Sequence, residues 1–233
     1  MIEHCLVCLT EITPQIGWTS LFSKENTAPI CEICFDKFKI IEGGTCEKCD
    51  RPLAHLDVKY KSGNQCTDCI RWEQDQEWAG TLVKNFSLVT YNDFAKEMVA
   101  QFKFRGDYVL AAVFAAFMKK KLSSIQFDVM VPIPLSDERL YERGFNQSEA
   151  LIQACGHEPR RLLSRIHTEK QSKKSRSERI HLSQVFQIVH TIPNQKILLI
   201  DDIYTTGSTL RHAAKCLKEA GAHSISSVTF ARG

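Results

Sequence analysis

No run of apolar residues in this chain approaches the roughly 20 needed to cross a bilayer; the nearest, 108–118, breaks at Lys119. The first residues, Met1-Ile2-Glu3-His4-Cys5, have neither the basic start nor the apolar stretch of a secretory signal. Together these absences predict a cytoplasmic protein with no membrane insertion. No G-x-x-x-x-G-K-[ST] occurs anywhere, which excludes a Walker-type ATP loop. Charge of one sign is also scarce, since 30 Lys and Arg face 27 Asp and Glu for a net +3, too little to mark a nucleic-acid binder by itself. Nor is the composition that of a disordered chain: 43% hydrophobic and 24% charged residues over 233 positions suit one large or two modest globular domains.

Cysteine, by contrast, is plentiful. Eight of the ten fall in four Cys-x-x-Cys pairs: Cys5/Cys8, Cys31/Cys34, Cys46/Cys49 and Cys66/Cys69. Disulfides are rare in the cytosol, so clustered cysteines there point to metal. A two-residue gap in a tight turn lets both thiolates reach one tetrahedral ion, and two such knuckles close a structural Cys₄ zinc site. Sixteen residues separate the third pair from the fourth and twenty-two the first from the second, which suits sequential pairing and two zinc ions. A cross-braced arrangement, first with third and second with fourth, is the alternative this spacing leaves open. Cys155 and Cys216 lie outside the pattern, on expected helices, as packing residues.

Strand and helix periodicity is weak before residues 72–84 and alternates clearly after them. The division places a zinc module over 1–75, where metal must supplement a small core, and a larger domain over 80–233. Expected strands fall at 86–91, 129–133, 161–163, 197–200 and 224–230; expected helices at 93–104, 108–122 and 147–155, with one more after the 197–200 strand. Such alternation predicts an α/β fold, a parallel sheet with helices on both faces.

The richest stretch is Ile197-Leu198-Leu199-Ile200-Asp201-Asp202-Ile203-Tyr204-Thr205-Thr206-Gly207-Ser208-Thr209-Leu210. Its four leading apolar residues read as a strand buried on both faces. Two carboxylates follow, and then Thr205, Thr206, Gly207, Ser208 and Thr209, whose hydroxyls and backbone N–H groups suit a phosphate. Leu210, Ala213, Ala214 and Leu217 recur at helical spacing up to Gly221, so the cup opens a helix whose N-terminus favours an anion. Carboxylates for a diol beside a phosphate cup describe a ribose 5-phosphate. This arrangement resembles the motif of type I phosphoribosyltransferases. The resemblance implies that Asp201 and Asp202 hold the ribose hydroxyls as the catalytic acidic pair, that Mg²⁺ sits nearby on the hydroxyls and pyrophosphate, and that 205–209 wrap the 5-phosphate of phosphoribosyl pyrophosphate.

A second block, Val131-Pro132-Ile133-Pro134-Leu135-Ser136-Asp137-Glu138-Arg139-Leu140-Tyr141-Glu142-Arg143-Gly144-Phe145-Asn146-Gln147, opens where a strand must end because its prolines remove ladder donors. Arg139 and Arg143 offer forks for phosphate oxygens, and the resemblance gives this loop the pyrophosphate. From Pro159 to His181 eight Lys and Arg face Glu169 and Glu178; the Lys170-to-Arg179 part could close on pyrophosphate, Lys170 included, or lie along a DNA backbone.

The cysteine knuckles, Gln101-Phe102-Lys103-Phe104-Arg105-Gly106-Asp107, the Val-Pro-Ile-Pro-Leu exit, Glu142-Arg143-Gly144-Phe145-Asn146-Gln147, Lys170-Gln171-Ser172 with Glu178-Arg179, and Asp-Asp-Ile-Tyr-Thr-Thr-Gly together resemble the ComF family of late-competence proteins over essentially the whole chain. That resemblance implies a role in natural transformation beside the ComF-operon DNA helicase, on incoming single-stranded DNA. Thr205 stands where many purine-salvage enzymes carry an Asp, and a hydroxyl cannot take over that carboxylate's proton chemistry. A purine acceptor is therefore disfavoured, while both an active transferase of unknown acceptor and a nucleotide-sensing or DNA-handling module stay open.

Overall fold

The computed structural model describes residues 4–12, 29–54, 56–166, 185–192 and 194–233. Its centre is a four-stranded sheet of β3 (Asn85–Thr90), β8 (Ser224–Arg232), β7 (Lys196–Tyr204) and β4 (Val129–Pro132), in that spatial order and parallel throughout. The apolar run of β7 alternates as a doubly buried strand should: Leu198 and Ile200 join one core, Ile197 and Leu199 the other.

Helix α3 (Asp93–Phe104) starts at Asn92, whose side chain accepts the Ala95 N–H at 2.9 Å; α4 (Leu110–Leu122) ends in three lysines that complement its dipole. These two and α6 (Gln147–Ala154) cover the first face, while α7 (Ser208–Glu219) covers the second through Leu210, Ala213, Ala214 and Leu217. Gly221, at φ +102°, supplies the left-handed stop past its end. Because α6 follows β4 and α7 follows β7 on opposite faces, the winding reverses between these two strands, and the crevice beyond their C-terminal ends is where such sheets take ligands.

The cysteine knuckles pair sequentially, which rules out cross-bracing. Cys5, Cys8, Cys31 and Cys34 form one cluster and Cys46, Cys49, Cys66 and Cys69 the other, each with its sulfurs within 4.8 Å. They sit on opposite faces of the sheet. The first, with α1 (Glu32–Asp36), packs on α4 and the sheet through Phe35 stacked on Phe117 (4.8 Å) and Phe38 edge-on to Phe230 (5.4 Å). Between the knuckles the chain runs antiparallel along the exposed edge of β3, where the Ile41 N–H donates to Leu88 O and the Thr90 N–H to Lys39 O, both at 2.8 Å. The second cluster comprises a short hairpin, β1 (Lys61–Ser62) and β2 (Gln65–Cys66), and α2 (Thr67–Gln74), and shares its core with α7.

Three expected elements differ. β7 extends past Ile200 to Tyr204, since β8 is equally long and continues the ladder, so the carboxylates lie within the strand and not after it. The 136–143 loop is a short helix, α5 (Asp137–Arg143), with Ser136 as N-cap, acidic residues in its first turn and Gly144 at φ +75° past its end. The strand expected at 161–163 forms instead as β5 (Leu163–Arg165), paired antiparallel with β6 (Phe186–Ile188) outside the main sheet.

Candidate functional site

Because β4 stops at Pro132, opposite Ile200, Asp201 is the first β7 residue with that side of the strand open. Asp201 accepts the Asp202 N–H at 2.9 Å and the buried Ser148 hydroxyl at 3.5 Å through one carboxylate oxygen. Burial and then the neighbouring Asp202 charge push its carboxyl up to about 7, partly opposed by Lys103. Asp202 is buried and pairs with the Lys103 ammonium of α3 at 2.6 Å. Two carboxylates and one cation in a half-enclosed place leave a net negative charge suited to a diol or a second cation.

Immediately after β7, Thr205, Thr206 and Thr209 are exposed, Ser208 is half-buried, and Gly207 is buried at φ +82°. A Cβ on Gly207 would come within 2.1 Å of the Tyr204 hydroxyl, so only glycine fits there. The loop leads straight into α7, whose N-cap Gly207 has no side chain to cap it and whose Ser208 N–H donates only a long bond, 3.4 Å, to Thr206 Oγ1, so this helix start suits an anion.

Across the crevice, the exposed Arg139 and half-buried Arg143 stand on α5. Arg143 donates to Gln147 Oε1 at 2.9 Å and lies over the Phe104 ring at 5.5 Å. Asn146 closes the α5 excursion by donating to Ile133 O at 3.0 Å while capping α6. Arg165, on β5, is destabilised as a cation by burial and Arg139 and stabilised by Asp201, so it faces the same space. Beside it opens a cavity of about 670 Å³ walled by Pro132, Pro134, Leu140, Phe145 and Leu163. Lys170, and the whole 170–179 stretch, lie outside the described residues. Lys103, Ser148 and Arg165 are not marked as site residues by the sequence alone, although Lys103 stands in the 101–107 motif and Arg165 in the basic 159–181 stretch.

Both cysteine clusters fit zinc. Tetrahedral Zn–S bonds of about 2.3 Å place sulfurs about 3.8 Å apart, and Cys8–Cys31 and Cys49–Cys66 are each 3.7 Å apart. Cys5 Sγ accepts the Val7 N–H at 3.4 Å and Cys46 Sγ the Cys66 N–H at 3.3 Å, so each knuckle turns a backbone donor onto a ligand sulfur.

The phosphoribosyl transferase domain family matches residues 111–233. Competence protein ComFC of Bacillus subtilis is 38% identical over 98% of this chain and 94% of that protein. The chain belongs to the ComF family. A second ComF relative, Competence protein ComFC of Streptococcus pneumoniae, is 36% identical over 98% of this chain and 99% of that protein. A more distant one, Competence protein F of Haemophilus influenzae, is 23% identical over 84% and 93%. The match to the transferase domain begins within α4 and therefore excludes Lys103 and the cysteine clusters.

Proposed function

We propose that this chain is a competence protein for DNA uptake that binds phosphoribosyl pyrophosphate with Mg²⁺ between the acidic pair and the 205–209 loop. The observation that carries this reading is the paired carboxylates of β7, open toward the crevice one residue beyond the end of β4 and followed at once by an anion-ready loop. Asp201 and Asp202 hold the ribose hydroxyls; the loop amides and hydroxyls take the 5-phosphate; Arg139, Arg143 and Lys170 take the pyrophosphate. Mg²⁺, when bound, screens the pyrophosphate and helps it leave. At the carbon that loses it, positive charge develops on the sugar, so positioning and leaving-group stabilisation matter more than a strong base. Residues 1–75 act as the zinc module and 80–233 as the transferase-like unit, in the cytoplasm.

Thr205 in place of a carboxylate disfavours a purine acceptor and leaves the acceptor unassigned, which opens a second reading in which the site binds and reports the nucleotide without turnover. Pyrophosphate release separates the two: more than one equivalent per chain, abolished in Asp202→Asn, is expected of a transferase, and none marks a sensor.

The zinc module docks the ComF-operon helicase while the basic 160–179 segment contacts single-stranded DNA. Replacing Lys173, Lys174 and Arg176 by Ala is then expected to lower the slope of log affinity against log salt by roughly two, at about 0.7 per phosphate contact. An unchanged slope would take this segment out of DNA handling.

A further inference from the structure

A loop that turns its N–H groups toward an anion turns its carbonyls the other way, and those carbonyls need donors of their own. Here three successive ones are supplied from one place. Arg232, buried at the end of β8, donates through Nη1 to Thr205 O at 3.0 Å and to Tyr204 O at 3.2 Å, where it joins the Gly233 N–H at 2.9 Å. Trp72 donates through Nε1 to Thr206 O at 2.9 Å.

Both donors are anchored at the second cysteine cluster. Arg232 Nη2 lies 3.4 Å from Cys49 Sγ, so the guanidinium bridges a metal-ligand sulfur and the loop backbone. Trp72 stands on α2, which follows Cys66 directly and contains Cys69, so two ligands of one ion fix the helix that carries it. Its ring is held in turn, edge-on to Trp78 at 5.3 Å and beneath the fully buried Arg211 at 5.3 Å, and Arg211 donates to Glu73 of the same helix at 3.0 Å. Tyr204, whose hydroxyl lies directly against Gly207, belongs to the same core as the four thiols and has Arg232 over its ring at 4.9 Å.

On the reading of 205–209 as a ribose 5-phosphate loop, we propose that the second cysteine cluster holds this loop in its anion-binding shape, with Trp72 and Arg232 as positioning residues. Zinc at Cys46, Cys49, Cys66 and Cys69 and an anion at the loop are then linked, each tightening the other. The first cluster, on the opposite face of the sheet, has no share in this.

The test uses the full-length, zinc-loaded protein and two conservative variants. Trp72→Phe keeps an aromatic ring near Trp78 and Arg211 but removes the N–H donor together with part of the indole. Arg232→Lys keeps the charge, but a single ammonium cannot replace a fork that reaches a sulfur and two carbonyls. Wild type and variants are expected to retain two zinc ions per chain by elemental analysis and to unfold at similar temperatures. Ribose 5-phosphate affinity in calorimetry should fall about tenfold in each variant, the scale of one lost positioning hydrogen bond. The ¹⁵N order parameters of residues 205–207 should drop from about 0.85 to below about 0.6 without any ligand. Saturating ribose 5-phosphate should slow the loss of one of the two ions to a chelator in wild type and in neither variant. Order parameters and affinity unchanged in both variants would overturn the clamp. If wild type fails to bind ribose 5-phosphate while the variants' order parameters still fall, the clamp stands and the ligand assignment does not.

Discussion

Among single residues, the buried acidic pair bears on stability and, on the proposed reading, on ligand binding. Asp201 has its carboxyl raised to about 7 by burial and by Asp202, while the same group in an unfolded chain titrates near 3.8. A carboxyl whose folded-state pKa lies above its unfolded value lowers stability as pH rises, beginning near the unfolded value and in full above the folded one. Asp201→Asn, which cannot ionise, is therefore expected to melt above wild type by roughly 5 °C at pH 8, with a smaller margin at pH 6, where most of the wild-type carboxyl is still protonated. Equal margins at the two pH values in scanning calorimetry would contradict the burial of that charge. Lys103 limits the repulsion from the other side, and it shows what a linear motif leaves out: it was visible as one residue of Gln101-Phe102-Lys103-Phe104, but its partner is ninety-nine positions away. Trp72 to Thr206 and Arg232 to Cys49 span 134 and 183 positions, so no local pattern could announce them.

At the scale of elements, legibility followed the range of the interactions that set each boundary. α3 has the limits its cap and periodicity give, and α7 buries the four positions its spacing selects. β7 outran its apolar signature because β8 continues the ladder past the carboxylates, a long-range cause. α5 lies in a charged, proline-preceded segment whose Ser136 cap and Gly144 stop are local helix signals, but its charges suit phosphate forks in a loop equally well and mask them. The turn from β7 into α7 is the tightest junction, and it depends on Gly207. Gly207→Ala sets a methyl against the Tyr204 hydroxyl in a left-handed backbone, which should cost about 1–3 kcal/mol in urea unfolding and remove ribose 5-phosphate binding. Wild-type behaviour in both assays would mean that the loop does not approach Tyr204 as closely as 2.1 Å implies.

For the molecule as a whole, the two cysteine clusters are not beads ahead of the sheet domain. They clasp the sheet from opposite faces, with the segment around Ile40 laid along the free edge of β3 between them. Small knuckles of this kind lack an adequate core of their own, and here each borrows one from the sheet: Phe35 and Phe38 on one side, Leu53 with Tyr204 on the other. The spacing of the cysteines foretold two metal sites; their attachment to the sheet depended on tertiary packing and stayed invisible. The open crevice at the reversal of the winding remains the centre of the functional reading, and one titration addresses it most directly. Phosphoribosyl pyrophosphate is injected into wild type and Asp202→Asn, with Mg²⁺ and with excess chelator of magnesium. Saturable binding that requires Mg²⁺ in wild type, lost in a folded and zinc-loaded Asp202→Asn, is the expected result. Equal binding by the two proteins, or none by either, would contradict the assignment of this crevice.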